Sequence, residues 1–176
     1  MLMPLKPKIK PPNAKIVRKR QTSDKQIRAK QVINPGFTDP YFTPWRDVGD
    51  VYLSTLRPNV GAQSAFYAVQ PGRSASLTQR VTLGNTGTEG KHRLFFSVLA
   101  DRNNNGGVLQ VSFLNTAVSR TYPLRTLATA NYQTIIIDFT PANVGNASSV
   151  ELQFRVNGAG IGPSFMFLDT VVIIPI

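Results

Sequence analysis

Cysteine is absent from the 176-residue chain, which excludes a disulfide framework and any thiolate metal site. Histidine occurs once. His92 lies between Lys91 and Arg93 and reads as a solvated strand end without a partner for acid–base work. Tryptophan also occurs once, at Trp45. The most apolar run, Phe165 to Ile176, is 12 residues long and contains Asp169. It is too short to cross a bilayer, so no membrane insertion is expected. Met1-Leu-Met-Pro-Leu-Lys6 lacks the apolar run of a secretory signal. A sustained 3.6-residue period is missing after residue 30, so there is no helix for a phosphate-binding loop to open. The acids of that region are scattered. No catalytic constellation emerges, and the reading is non-enzymatic.

What the chain does have is an uneven charge. Residues 1–30 hold ten of the 20 Lys+Arg and one acid, Asp24, a net of +9. Residues 31–176 hold ten bases and eight acids, a net of +2. The chain therefore divides into a basic, Pro/Lys-rich extended arm (1–30) and a nearly neutral domain (31–176). Pro4, Pro7, Pro11 and Pro12 keep the arm extended. Leu5, Ile9, Ile16 and Val17 are its apolar anchors, and Lys6, Lys8, Lys10, Lys15, Arg18, Lys19 and Arg20 carry much of its charge. A helical turn near Asp24–Lys30 is one local option. Thirty extended residues span up to ~100 Å, against a radius of gyration of ~15 Å for the domain. Three roles fit such an arm: docking on a neighbouring subunit, sequence-blind binding of nucleic acid, or a solvated tail.

Asn34-Pro-Gly-Phe-Thr-Asp-Pro-Tyr-Phe-Thr-Pro-Trp45 opens the domain. Gly36 can take positive φ, and Pro40 and Pro44 forbid a helix or a central strand. Phe37, Tyr41, Phe42 and Trp45 ride on this irregular crossing. Beyond it the pattern is period two. Leu77, Gln79, Val81 and Leu83 share one face, with Ser76, Thr78, Arg80 and Thr82 on the other. Val150, Leu152, Phe154 and Val156 alternate with Glu151, Gln153 and Arg155. Gln133–Phe139, rich in isoleucine, suits a central strand. Asp101-Arg-Asn-Asn-Asn-Gly106 matches half of a calcium loop but has Ser112 at the twelfth position, so a hairpin turn is expected. Eight or nine short strands with frequent turns give an all-β fold, an antiparallel β-sandwich of jelly-roll type.

Asn34-Pro-Gly-Phe37, Pro44-Trp45, Gly61 to Tyr67, Ser76 to Val81, Leu94 to Val98 and Phe165 to Val171 stand in an order that resembles family 4 and 9 carbohydrate-binding modules and other galactose-binding-like jelly rolls. The chain from about residue 32 is also similar to the N-terminal jelly-roll domains of collagen-like spore-surface proteins of Firmicutes. The resemblance implies a structural calcium held at Asp39 and Asp169, although an acid usual directly after the Gly-Phe is replaced here by Thr38. It further implies a glycan platform of Tyr41, Phe42, Trp45 and Tyr52. The alternative for Trp45 is to close one end of the core, which a single tryptophan favours.

The leading functional expectation is a structural subunit that self-assembles into a fibre, surface layer or shell, its arm docking on neighbours. A carbohydrate-binding module with polysaccharide as partner is the alternative, and a viral-type coat protein with a nucleic-acid-binding arm is the third reading. The expected location is extracellular, on a spore or cell surface, or in a virion.

Overall fold

Period-two alternation becomes ten antiparallel strands in the computed structural model, which describes residues 32–83, 90–102 and 106–176. They are β1 (Arg46–Val48), β2 (Val51–Ser54), β3 (Ser64–Val69), β4 (Ser74–Thr82), β5 (His92–Ala100), β6 (Val108–Phe113), β7 (Ser119–Pro123), β8 (Gln133–Phe139), β9 (Ser149–Asn157) and β10 (Ser164–Pro175). One sheet has the order β1-β4-β9-β6-β7 and the other β2-β3-β10-β5-β8. This is the expected β-sandwich, with one more strand than the period-two count, the three-residue β1. The arm residues, the turn at Gly84–Gly87 and half of the Asp101–Gly106 motif (103–105) lie outside the described residues.

The inward faces of the two sheets form one apolar core. Leu77, Leu152, Phe154 and Leu109 of the first sheet meet Tyr67, Leu94, Phe96 and Leu168 of the second, all fully buried. The Tyr67 hydroxyl donates to the Phe154 carbonyl at 3.2 Å and ties the sheets together. Burial pushes its pKa well above the ordinary tyrosine value, so it stays a donor.

Three expectations change. Gln133–Phe139 pairs only with β5 and stands last in its sheet, so it is an edge strand and not a central one. β-branched residues suit any pleated surface, so they do not distinguish edge from centre. Gly36 is not among the positive-φ residues. The left-handed positions of the crossing are Asn34 (φ 49) and Phe37 (φ 52). Gln79 is inward-facing yet satisfied: its amide pairs with the backbone of Ile33, accepting at 2.9 Å and donating at 2.8 Å, as a neighbouring strand would.

His92 is the third. It shares the inward parity of Leu94 and Phe96, is 2% exposed, and stacks on Phe139 at 5.3 Å. Neither ring nitrogen has a hydrogen-bond partner. Burial lowers its pKa from 6.5, so the unfolded chain binds a proton that the folded chain refuses. Stability therefore falls as pH drops through 6.5 towards the folded-state value. His92→Phe is expected to raise stability and flatten that slope. Denaturant unfolding at about pH 7.5 and about pH 5.5 measures both effects.

Candidate functional site

The crossing at residues 34–45 meets the corner at residues 46–54, where the chain passes from β1 in one sheet to β2 in the other, and a cleft of about 450 Å³ lies between them. Its lining joins Tyr41, Phe42 and Trp45 of the crossing to Asp47, Val51 and Tyr52 of the corner. The four aromatics singled out in the sequence are thus brought to one place, but in different states. Tyr41 is 74% exposed and Tyr52 is 52% exposed, Phe42 is half-buried, and Trp45 is 4% exposed.

Trp45 belongs to the core. Its ring lies 5.7 Å from Phe37 and 6.0 Å from Phe154, and its indole N–H donates to the Asn34 carbonyl at 3.2 Å. Its burial agrees with the alternative stated above, that Trp45 closes the core, and takes it out of the platform that the resemblance implies. Phe42 packs edge-on against Phe37 at 6.1 Å. Tyr41 stands out because the buried Asn34 amide holds the loop beneath it, donating to the carbonyls of Tyr41 and Thr43 at 3.4 Å each. The Thr43–Pro44 peptide is cis.

Tyr52 sits on the outward face of β2 and donates its hydroxyl to Asp50 Oδ1 at 3.3 Å. The Asp50 charge raises its pKa, with burial and the hydrogen bond adding to the effect. It remains a neutral phenol throughout the ordinary pH range. Asp47 supplies an acceptor within the cleft and Asp50 one beside Tyr52. Neither was singled out from the sequence. Their only signal is the polar turn Asp47-Val-Gly-Asp50 that carries the chain from one sheet to the other, where Gly49 has φ 80. A side chain there would also meet the Ser74 carbonyl at 2.7 Å.

Asp169 and Asp39, the expected calcium ligands, are placed differently from each other. Asp39 is exposed. Asp169 is fully buried at a bulge in β10, where Thr170 (φ 51) and Val171 oppose the single Phe96. Its Oδ2 accepts from the backbone N–H groups of Asn59 and Val60 at 2.8 and 3.1 Å. Its Oδ1 accepts from Thr170 N and Oγ1 at 2.6 and 3.3 Å. Calcium asks for six to eight oxygens. Both oxygens of this carboxylate instead face N–H and O–H donors, and the described residues hold no group of three or more His, Cys, Asp or Glu around a common point. The residues do not fit the ion; Asp169 acts as an anionic staple between β10 and the loop before β3.

Elsewhere, the outward face of the first sheet is a hydrogen-bonded polar surface without aromatic rings. Gln153 donates to Thr78 at 3.2 Å, Arg155 to Ser74 at 3.0 Å, and Arg80 to Ser149 at 3.1 Å. A second, polar pocket of about 360 Å³ is lined by Arg57, Asp101, Arg102 and Thr129, from the loops after β2, β5 and β7.

No family model and no curated protein matches the chain. Solved structures do. A family 61 carbohydrate-binding module in complex with β-1,4-galactotriose superposes with a TM-score of 0.60 at 20% identity, covering 82% of this chain and 97% of that one. A family 16 carbohydrate-binding module gives 0.59 at 15% identity, covering 82% and 99%. The enzymatically active domain of bacteriophage CBA120 tailspike protein 4 gives 0.60 at 18% identity, with 84% of this chain matching 21% of that one. At such identities the likeness is one of fold: the chain has the β-sandwich jelly roll of carbohydrate-binding modules.

Proposed function

We propose that the protein is a non-catalytic carbohydrate-binding module, and that the cleft between the crossing and the β1–β2 corner is its sugar site. The observation that carries this reading is the pair of exposed rings, Tyr41 and Tyr52, lining one cleft with Asp47. The C–H faces of a pyranose pack on aromatic rings, and its hydroxyls donate to carboxylates. A concave, largely apolar site with few placed polar groups is the usual form of a small-ligand pocket. The fold shared with carbohydrate-binding modules supports the same reading. The natural first probe is a β-1,4-linked galactan, the ligand class in the complex of the family 61 module. Polysaccharide as partner places the protein outside the cell or on its surface. The self-assembling and coat-protein readings rest on residues 1–30, outside the described residues.

Calorimetric titration with a panel of soluble polysaccharides tests the proposal. Tyr41→Ala and Tyr52→Ala are each expected to weaken binding by about 30-fold, the equivalent of about 2 kcal/mol for an aromatic hot spot. Both rings are exposed, so neither change should alter the unfolding midpoint. Undiminished affinity in both variants would remove the site, and no binding by the intact protein to any member of the panel would remove the function.

A further inference from the structure

We propose that β8 is a self-association edge, pairing antiparallel with β8 of a second copy about a two-fold axis centred on Ile136. This inference stands apart from the glycan reading. Among the described strands four lie at sheet edges, and three of them are defended against pairing. β1 is three residues long and carries Arg46 and Asp47. β2 is four residues long and is preceded by Asp50. β7 has Arg120 and ends in Pro123. β8 is the longest of the four at seven residues, Gln-Thr-Ile-Ile-Ile-Asp-Phe, with no proline or lysine. Its register with β5 runs without a bulge from Gln133↔Val98 to Phe139↔His92. Ile136, at its centre, is 56% exposed.

The sequence of β8 is complementary to itself in that register. Centring on Ile136 sets Ile136 opposite its own copy, Thr134 opposite Asp138, and Ile135 opposite Ile137. The outward apolar row Val172–Phe95–Ile136 of one copy then continues into the same row of the other. The only charge on the strand is already matched, because Arg93 of β5 donates to both oxygens of Asp138 at 2.7 and 2.8 Å. The pair therefore meets hydroxyl to carboxylate at both ends and brings no like charges face to face. A slip by one residue would set outward side chains against inward ones and break the apolar row. A second copy fits this edge because an isologous interface needs just such self-complementarity.

The chain has no cysteine, so single introduced cysteines report the register directly. Opposed residues of an antiparallel pair have Cα atoms about 4.5–5.5 Å apart, within the range a disulfide spans. Thr134 and its copy would be about 13 Å apart. Mild oxidation of the full chain carrying Ile136→Cys should give a covalent dimer, and Thr134→Cys should not. Light scattering should find the unaltered protein dimeric and Ile136→Lys monomeric, with unchanged circular dichroism. A monomer at all concentrations, or a dimer that survives Ile136→Lys, overturns the proposal. A dimer in which Ile136→Cys does not cross-link also overturns it, and would point to a neighbour's arm on that edge.

Discussion

Trp45→Ala should lower stability by about 3–5 kcal/mol, the usual cost of removing a large aromatic from a core. The ring fills the space between Phe37 and Phe154, and its N–H holds the Asn34 carbonyl. Alanine would leave a cavity and remove one of the two donors to the Asn34 carbonyl, leaving it only the Phe37 N–H at 3.4 Å. For a domain of this size the melting temperature should fall by about 10 °C. The variant would lose sugar binding through unfolding, so its loss would say nothing about contact with a ligand. Tyr41→Ala separates the two effects, because that side chain projects into solvent. Denaturant unfolding checks the claim. A Trp45→Ala protein as stable as the parent would mean that the indole is not a core residue.

Asp169→Ala should cost about 3 kcal/mol, with a local signature. The carboxylate accepts from Asn59, Val60 and Thr170, and leaving buried donors unmatched costs about 1–3 kcal/mol each where water cannot reach them. Only part of that applies to each donor, since Asn59 and Val60 themselves lie on an exposed loop. Thr170 adds its own demand. As a β-branched residue at φ 51 it occupies a backbone region that such residues rarely adopt, and the hydrogen bonds to Asp169 help to hold it there. Amide exchange should therefore rise first at Asn59, Val60 and Thr170, ahead of the β5–β10 ladder. Protection retained at all three would show that the loop is held by something other than this carboxylate.

Much of the sandwich was legible because one face of most strands is polar. Leu77-Thr-Gln-Arg-Val81 and Val150-Glu-Leu-Gln-Phe154 declare their inward residues by alternation alone. β10 did not. It is apolar on both faces, so the change of inward parity from Leu168 to Val171 at its bulge left no trace in the hydropathy pattern. The rank of β8 was hidden for a related reason, since isoleucine serves an edge and a centre equally. His92 could have been placed, because counting back by twos from Phe96 and Leu94 reaches it. Its charged neighbours obscured that parity. In the candidate site, the clustering of aromatics was visible, but which rings face water depends on the hydrogen bonds of Asn34 and on the packing of Phe37. Asp47 and Asp50 gained significance only when the β1–β2 corner carried them beside Tyr41 and Tyr52.

The most direct test is to titrate the isotope-labelled protein with soluble β-1,4-galactan and other polysaccharides, and to map the amides that shift. Saturable shifts confined to residues 40–43 and 47–53 are the expected result. Shifts centred on Ser76, Thr78 and Gln153 of the polar sheet face, or none with any polysaccharide, would contradict the assignment of the site.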